Sequence, residues 1–593
     1  MHAHTFRTIL GVTCAFAALS STARAQMTGR VVDSLGDPIP RVHLRSPGAD
    51  AFSLLHSPDV VETDGNGAFS LAPTPSGSPG QAYIAIGREG YQTLLGALST
   101  GARGVEIVLD DVLPADNANY AWMVPQAALG PDGAPVENDC ALCHSDQIRA
   151  WRASRHAIAA TDPWVLNMYL GTDRDGNAGV GPGYRLDHPD RAGQCANCHA
   201  AVAAVDAPGE VRLDEVTGVA AEGVFCETCH KIRNVTPNGA GGVGGAIELW
   251  RPPATFGRFA FGPYDDVNPH AMQSSYSPLH RQARLCAGCH EYINEQGVPV
   301  METYTEWSTS AVPGEEVLTC QNCHMANQGA FATLEPPPED CPTTTNNLAC
   351  GYTLTDAHFI QMSGQRRDPA DISRHTFRGG ETEMLTHAAE AVIEAHTDGD
   401  RLIVDVDVTN LYAGHAIPTG MPFRNMLLLV QAQSDSGEVL ALEAGPVLPD
   451  YAGVGDPLEG NLAGLPGRGF AKVLGDGTGA RDVAFWDATE VLEDTRLWPQ
   501  TTDSSRYAFV LPQQAGVVTV YAQLLYRRAY KPLADEKGWE LGQVVMLALT
   551  HEIEVPAVSS GCGCHVTSPR ETGASGLLVL AIAGALLWWR RRT

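Results

Sequence analysis

Five copies of Cys-x-x-Cys-His run through the middle of this chain, and no other feature limits its fold so severely. They are Cys140, Cys143 and His144; Cys195, Cys198 and His199; Cys226, Cys229 and His230; Cys286, Cys289 and His290; and Cys320, Cys323 and His324. At this composition chance supplies on the order of 0.01 copies, and the pattern is the attachment signal of haem c. The spacing follows from the chemistry: two thiols a short turn apart add to the two vinyl groups of one porphyrin, and the adjacent histidine is placed under the iron. Zinc would also use paired cysteines, but it is indifferent to the residue after the second one, which here is histidine in all five copies. Five covalent haem c groups are therefore expected, with the ten cysteines as attachment points and the five histidines as proximal iron ligands.

The motif starts are separated by 55, 31, 60 and 34 residues, and the five fill only 185 residues. A domain with its own core needs roughly 100 residues, so the porphyrins are expected to pack on one another and supply much of the core. Long glycine-rich stretches such as Pro237 to Gly245 have no apolar period and need such a core to fold.

Each iron has a second axial position, and the free histidines are its expected occupants. His156 lies 12 residues after His144, about 18 Å along a helix, so it is expected to serve a neighbouring haem. His270, His375 and His415 are the other strong candidates, and His188, His280 and His358 compete for the fifth place. Met272 and Met325 are minor alternatives, and His387 and His396 are assigned structural roles. Cys341 and Cys350 are expected to close a local disulfide.

The stretches WRASRHA, NPHAMQSSYSPLHRQARLCAGCH, RHTFRGG and GHAIPTGMPFRNMLLLV resemble the multihaem cytochrome family typified by the tetrahaem electron carrier of ammonia-oxidising bacteria, over about residues 138 to 530. The resemblance implies bis-histidine haems in closely stacked pairs, with His156, His270, His375 and His415 on the distal positions. The chain departs from the tetrahaem type in having five motifs, which leaves the distal ligand of one haem unassigned.

The fold class expected is multidomain: an N-terminal β-sandwich, a loop- and helix-containing multihaem core with little regular structure, and a C-terminal β-rich domain. The first 25 residues, with Arg7, an apolar stretch and Ala23-Arg24-Ala25, read as a secretory signal peptide. Residues 27–112 read as the sandwich, with a hairpin turn at Asp64-Gly65-Asn66-Gly67. The pieces GRVVDSLGDPIPRVHL, ETDGNGAFSL and IGREGYQT resemble the carboxypeptidase regulatory-like domain family. The haem core is expected over 115–380, a short helix over Glu383 to His396, and the β-rich domain over 385–556, where Met426 to Val430 is a continuous apolar run. The tail, 561–593, contains Gly561-Cys562, an apolar run from Gly576 to Trp589 and then the cluster Arg590, Arg591 and Arg592. That run spans about 21 Å at 1.5 Å per residue, short for a stable membrane helix. It resembles the C-terminal sorting signals of myxobacterial surface proteins and implies membrane association through the tail.

A formal charge of −29, from 68 acidic and 39 basic residues, argues against nucleic acid as a partner and suits docking to basic proteins. The reading that follows is an exported electron carrier, periplasmic or at the cell surface, exchanging electrons with redox partner proteins or quinol-linked donors. No catalytic residue is assigned. The alternative is a reductase of a small nitrogen or sulfur compound acting at one open haem.

Overall fold

The computed structural model describes residues 26–49, 54–74, 80–112, 114–125, 140, 144–267, 272–310, 318–326, 365–366, 372–512 and 514–556. The segments read as signal peptide and sorting tail, with Cys143, His270, His358, Cys341 and Cys350, lie outside the described residues. The molecule is multidomain and rich in sheet, with short helices.

The N-terminal part contains β1 (Met27–Val32), β2 (His43–Arg45), β3 (Val61–Glu62), β4 (Ala68–Leu71), β5 (Gln81–Gly87), β6 (Leu94–Ser99) and β7 (Val105–Val108). They form a three-stranded sheet of order β4-β1-β7 and a four-stranded sheet of order β3-β2-β5-β6. Alternation supplies the core: Val31, Leu44, Phe69, Leu71, Ile84 and Ile86 pack together because successive strand residues point to opposite faces.

The haem-motif region has no helix longer than eight residues among those described. Its two longest are α1 (Ser145–Arg152) and α2 (Pro163–Leu170). The Asp162 carboxylate caps α2 by accepting from the Trp164 amide, Pro163 starts it, and Gly171 at φ +71° ends it. Single turns follow at α3 (Cys195–His199), α4 (Cys226–His230) and α5 (Arg284–Ala287), then α6 (Thr303–Thr309) and α7 (Cys320–His324). Between α4 and α5, β8 (Phe259–Gly262) pairs in parallel with β9 (Gln273–Tyr276).

The N-terminal part docks on the β8–β9 unit. Thr93 donates its amide to the Ser274 carbonyl at 2.9 Å, and His43 and Arg45 grip the Asp265 carboxylate at 2.7 to 3.0 Å. His56 holds the fully buried Asp266 at 2.7 Å. Gly87 permits this approach, since a Cβ there would lie 2.1 Å from the Asp265 carbonyl oxygen. Burial opposes the Asp265 charge, but the hydrogen bonds and charges of His43 and Arg45 hold its carboxyl well below the ordinary range. A depressed carboxyl stabilises the docked state fully above its unfolded value, near pH 4, and loses that stabilisation as pH falls through the folded value. The N-terminal part is therefore expected to become protease-sensitive in acid before the C-terminal domain does. Asp265→Asn should weaken docking by about 2 kcal/mol at neutral pH. Limited proteolysis across pH checks both, and an acid profile unchanged by the substitution contradicts the assignment.

The C-terminal domain is built from β10 (Glu390–Asp398), β11 (Arg401–Thr409), β12 (Asn425–Ser434), β13 (Leu442–Ala444), β14 (Gly467–Gly475), β15 (Glu490–Asp494), β16 (Thr502–Val510), β17 (Gly516–Arg527) and β18 (Val544–Val555). One sheet runs β10-β11-β16-β13 and the other β15-β14-β12-β17-β18. The continuous apolar run of β12 has two jobs. Met426, Leu428 and Val430 face the core shared with Leu402, Val404 and Val406 of β11, whereas Leu427 and Leu429 face a second core with Tyr451, Val473 and Tyr530. Each such side chain contributes about 1.5–3 kcal/mol on burial. The expected helix over Glu383 to His396 is corrected: only Thr382–Leu385 is helical, and Glu390 onward pairs antiparallel with β11 along nine residues. Cross-strand pairing there outweighs the helical propensity of an alanine- and glutamate-rich segment.

This domain is packed on the haem region. Trp539 stacks on Trp164 with ring centres 4.1 Å apart, and the buried Lys537 ammonium donates to the carbonyls of Val180 at 2.6 Å and Thr172 at 3.1 Å.

Candidate haem-binding sites

On a one-turn helix, positions i, i+3 and i+4 share a face. Cysteine, cysteine and histidine occupy those positions in α3, α4 and α7. The motif cysteines among the described residues form no disulfide and are half-buried, as attachment to a porphyrin edge requires. Burial pushes the Cys195 and Cys229 thiols up to about 12, which marks an apolar surround. The sulfurs of different motifs also lie close together, Cys289 beside Cys198 and Cys286 beside Cys320. The fourth motif thus stands between the second and the fifth.

The glycine-rich segment Pro237 to Gly245 is wedged into this junction. Gly242 donates its amide to the Gly288 carbonyl at 2.6 Å and Val243 donates to Asn197 at 3.0 Å. Gly242 has φ +66°, and a Cβ there would come within 2.5 Å of the Asn197 backbone. Only glycine fits both the backbone and the space.

Three of the motif histidines are oriented by main-chain carbonyls. His199 donates from Nδ1 to Ala159 at 2.9 Å, His230 to Phe261 at 2.7 Å, and His324 to Arg378. A ring that donates from Nδ1 presents a bare Nε2, the form in which imidazole binds a metal. Burial lowers the pKa of all three rings, holding them neutral. Burial also lowers the His144 and His290 rings, to about 4 and about 3.

Two imidazoles on opposite sides of one metal, each nitrogen about 2 Å away, have ring centres roughly 6 Å apart. His156 and His290 stand 6.2 Å apart, His324 and His415 6.1 Å, and His230 and His375 6.4 Å. The Nδ1 atom of His156 is buried without a hydrogen-bond partner, a costly state for a polar atom that a metal would relieve. The residues present therefore fit haem c at these positions.

His280 stacks on His230 at 5.5 Å, closer than two ligands of one metal stand, and its Nε2 meets the Cys229 carbonyl at 3.2 Å. The structure places His188 elsewhere, with Nε2 3.0 Å from Asp487 and its ring against Tyr184. Among the described residues no histidine ring stands at pair distance from His144 or His199. Met325 caps the end of α7, and His396 lies within β10. Sequence reading did not find the residues that hold the His415 turn, chiefly Glu306, Thr419 and Arg496, because their partners are far apart in the chain.

The class these features define is a multihaem c-type cytochrome. Residues 139–231 match the family model of cytochrome c554 and c-prime, a span that contains the first three motifs. Among solved structures, a penta-haem cytochrome c552 from Thermochromatium tepidum is 23% identical, covering 70% of this chain and 97% of that one with a TM-score of 0.47. The 3-chlorocatechol 1,2-dioxygenase of Rhodococcus opacus 1CP is 19% identical over 15% of this chain and 59% of that one, with a TM-score of 0.12. No curated protein matches the chain. Among the described residues no helix is long and apolar enough to cross a membrane.

Proposed function

We propose that this chain is an exported pentahaem c-type cytochrome that passes electrons between redox partners outside the cytoplasm. The observation that carries the reading is the set of facing histidine pairs, His156 with His290, His324 with His415, and His230 with His375. Haem c, when bound, supplies one-electron iron chemistry at each motif. The protein's own part would be to hold neutral imidazoles as iron ligands in these three pairs and so exclude small substrates from those irons. The carbonyls of Ala159, Phe261 and Arg378 fix the proximal rings, and His415 brings a ligand from the C-terminal domain to the fifth motif.

The partners are redox proteins or quinol-linked donors, and the tail provides membrane association. An excess of 68 acidic over 39 basic residues favours a basic protein partner. Stopped-flow mixing of the reduced protein with a small basic cytochrome c tests this. The second-order rate constant should fall about tenfold or more as ionic strength rises from low salt to several times physiological, where exposed charges are screened. No electron exchange at any salt concentration would overturn the carrier reading.

A further inference from the structure

The turn that brings His415 to the fifth motif follows β11 and belongs to the C-terminal domain, so its position depends on how that domain is held. Within the domain, the fully buried Asn410 donates from its amide to the His415 carbonyl at 2.9 Å and to the Leu497 carbonyl at 3.0 Å. Ile417 and Leu497 exchange backbone hydrogen bonds at 3.0 and 2.9 Å.

Arg424 of the same domain donates to the Thr419 carbonyl at 3.0 Å, and further restraints come from the haem region, from α6 and the residue just after it. Ser310 donates its hydroxyl to the Gly414 carbonyl at 3.1 Å. Thr419 donates its hydroxyl to the Glu306 carboxylate at 2.6 Å and meets the Thr303 hydroxyl at 2.8 Å. Glu306 is fully buried, and its other oxygen receives the Arg496 guanidinium, itself buried and paired with Asp494 at 2.8 Å. The same short helix reaches back to the fourth motif. Thr305 donates its amide and hydroxyl to Glu291, the neighbour of His290, at 3.1 and 2.6 Å.

We propose that Glu306, locked by Arg496, is a positioning residue that holds the His415 turn through Thr419 and keeps His415 on its iron. The inference rests on the reading of His415 as an iron ligand. A buried carboxylate with both oxygens engaged has little freedom to move. A charge-assisted bond to Thr419 therefore transmits a fixed position to a loop that otherwise belongs to another domain. Outer partners of this kind orient metal ligands, and their loss typically costs about 10–100-fold in affinity for the metal.

The test uses the full-length haem-loaded protein, reduced with dithionite and mixed with carbon monoxide, which binds wherever a distal histidine leaves. His415→Ala should bind one more carbon monoxide per molecule than the native protein. Thr419→Val keeps the Glu306–Arg496 pair and the side-chain volume but removes the donor. The rate of carbon monoxide uptake at that site, limited by departure of His415, should rise at least tenfold. Thr419→Ser restores the hydroxyl and should stay within about twofold of native. Lys472→Met removes a different contact between the domain and the haem region, the Lys472–Glu302 pair at 2.6 Å, and should also stay within about twofold. If His415→Ala opens an iron but Thr419→Val behaves as native, the positioning role is overturned and the ligand reading stands. An equal rise in Lys472→Met would assign the effect to domain docking in general and would also overturn it. If His415→Ala opens no iron, the ligand reading fails and takes this inference with it.

Discussion

His415→Ala is expected to leave one haem iron with an open position, giving a new high-spin signal in the oxidised protein and carbon monoxide binding in the reduced one. The ring stands 6.1 Å from His324 and nearly parallel to it, at 13°. Its own Nδ1 donates to the Ala416 carbonyl at 2.9 Å, which leaves Nε2 for the iron. Alanine removes the ligand without disturbing the bonds that Asn410 and Ser310 make to the turn backbone, so the domain should remain docked. Electron paramagnetic resonance and carbon monoxide difference spectra check the result. Spectra unchanged from native would reduce His415 to a turn residue.

The second large effect concerns the covalent load. Each motif consumes one cysteine pair, so the mature protein should exceed its polypeptide mass by five haems. Replacing Cys226 and Cys229 by alanine should reduce the load to four. It should also destabilise the centre of the haem region, because the His230 ring on that helix lies between His280 and His375, at 5.5 and 6.4 Å. Intact mass spectrometry of protein matured by a competent haem-attachment system decides it. Four or fewer haems on the unaltered chain would refute the count.

What could be read in advance depended on the distance over which each signal acts. The motif geometry is local: Cys226, Cys229 and His230 lie within one turn, so spacing alone placed them on one face. The β12 run was equally legible, since a short unbroken apolar stretch suits a strand buried on both faces. The segment from Glu383 was misread because its alanines and glutamates favour helix, and the pairing of Glu390 with Thr409 that decides otherwise is not local. The Asp265 clamp joins residues 222 apart in sequence, and Arg496 meets Glu306 across 190. No periodicity announces such pairs, although an acidic doublet at Asp265-Asp266 in an apolar neighbourhood is a weak hint. The histidines were legible as candidates but not as partners, because which ring faces which motif is settled by packing alone.

If electrons are its only cargo, the reduced protein has no substrate of its own, and turnover decides the point. The reduced protein is mixed in turn with nitrite, hydroxylamine and tetrathionate while haem absorbance is followed in the presence and absence of carbon monoxide. A carrier should be reoxidised slowly by each, without saturation and without effect of carbon monoxide. Rapid, saturable reoxidation by one of them, blocked by carbon monoxide bound at a single haem, would contradict the carrier and identify a reductase.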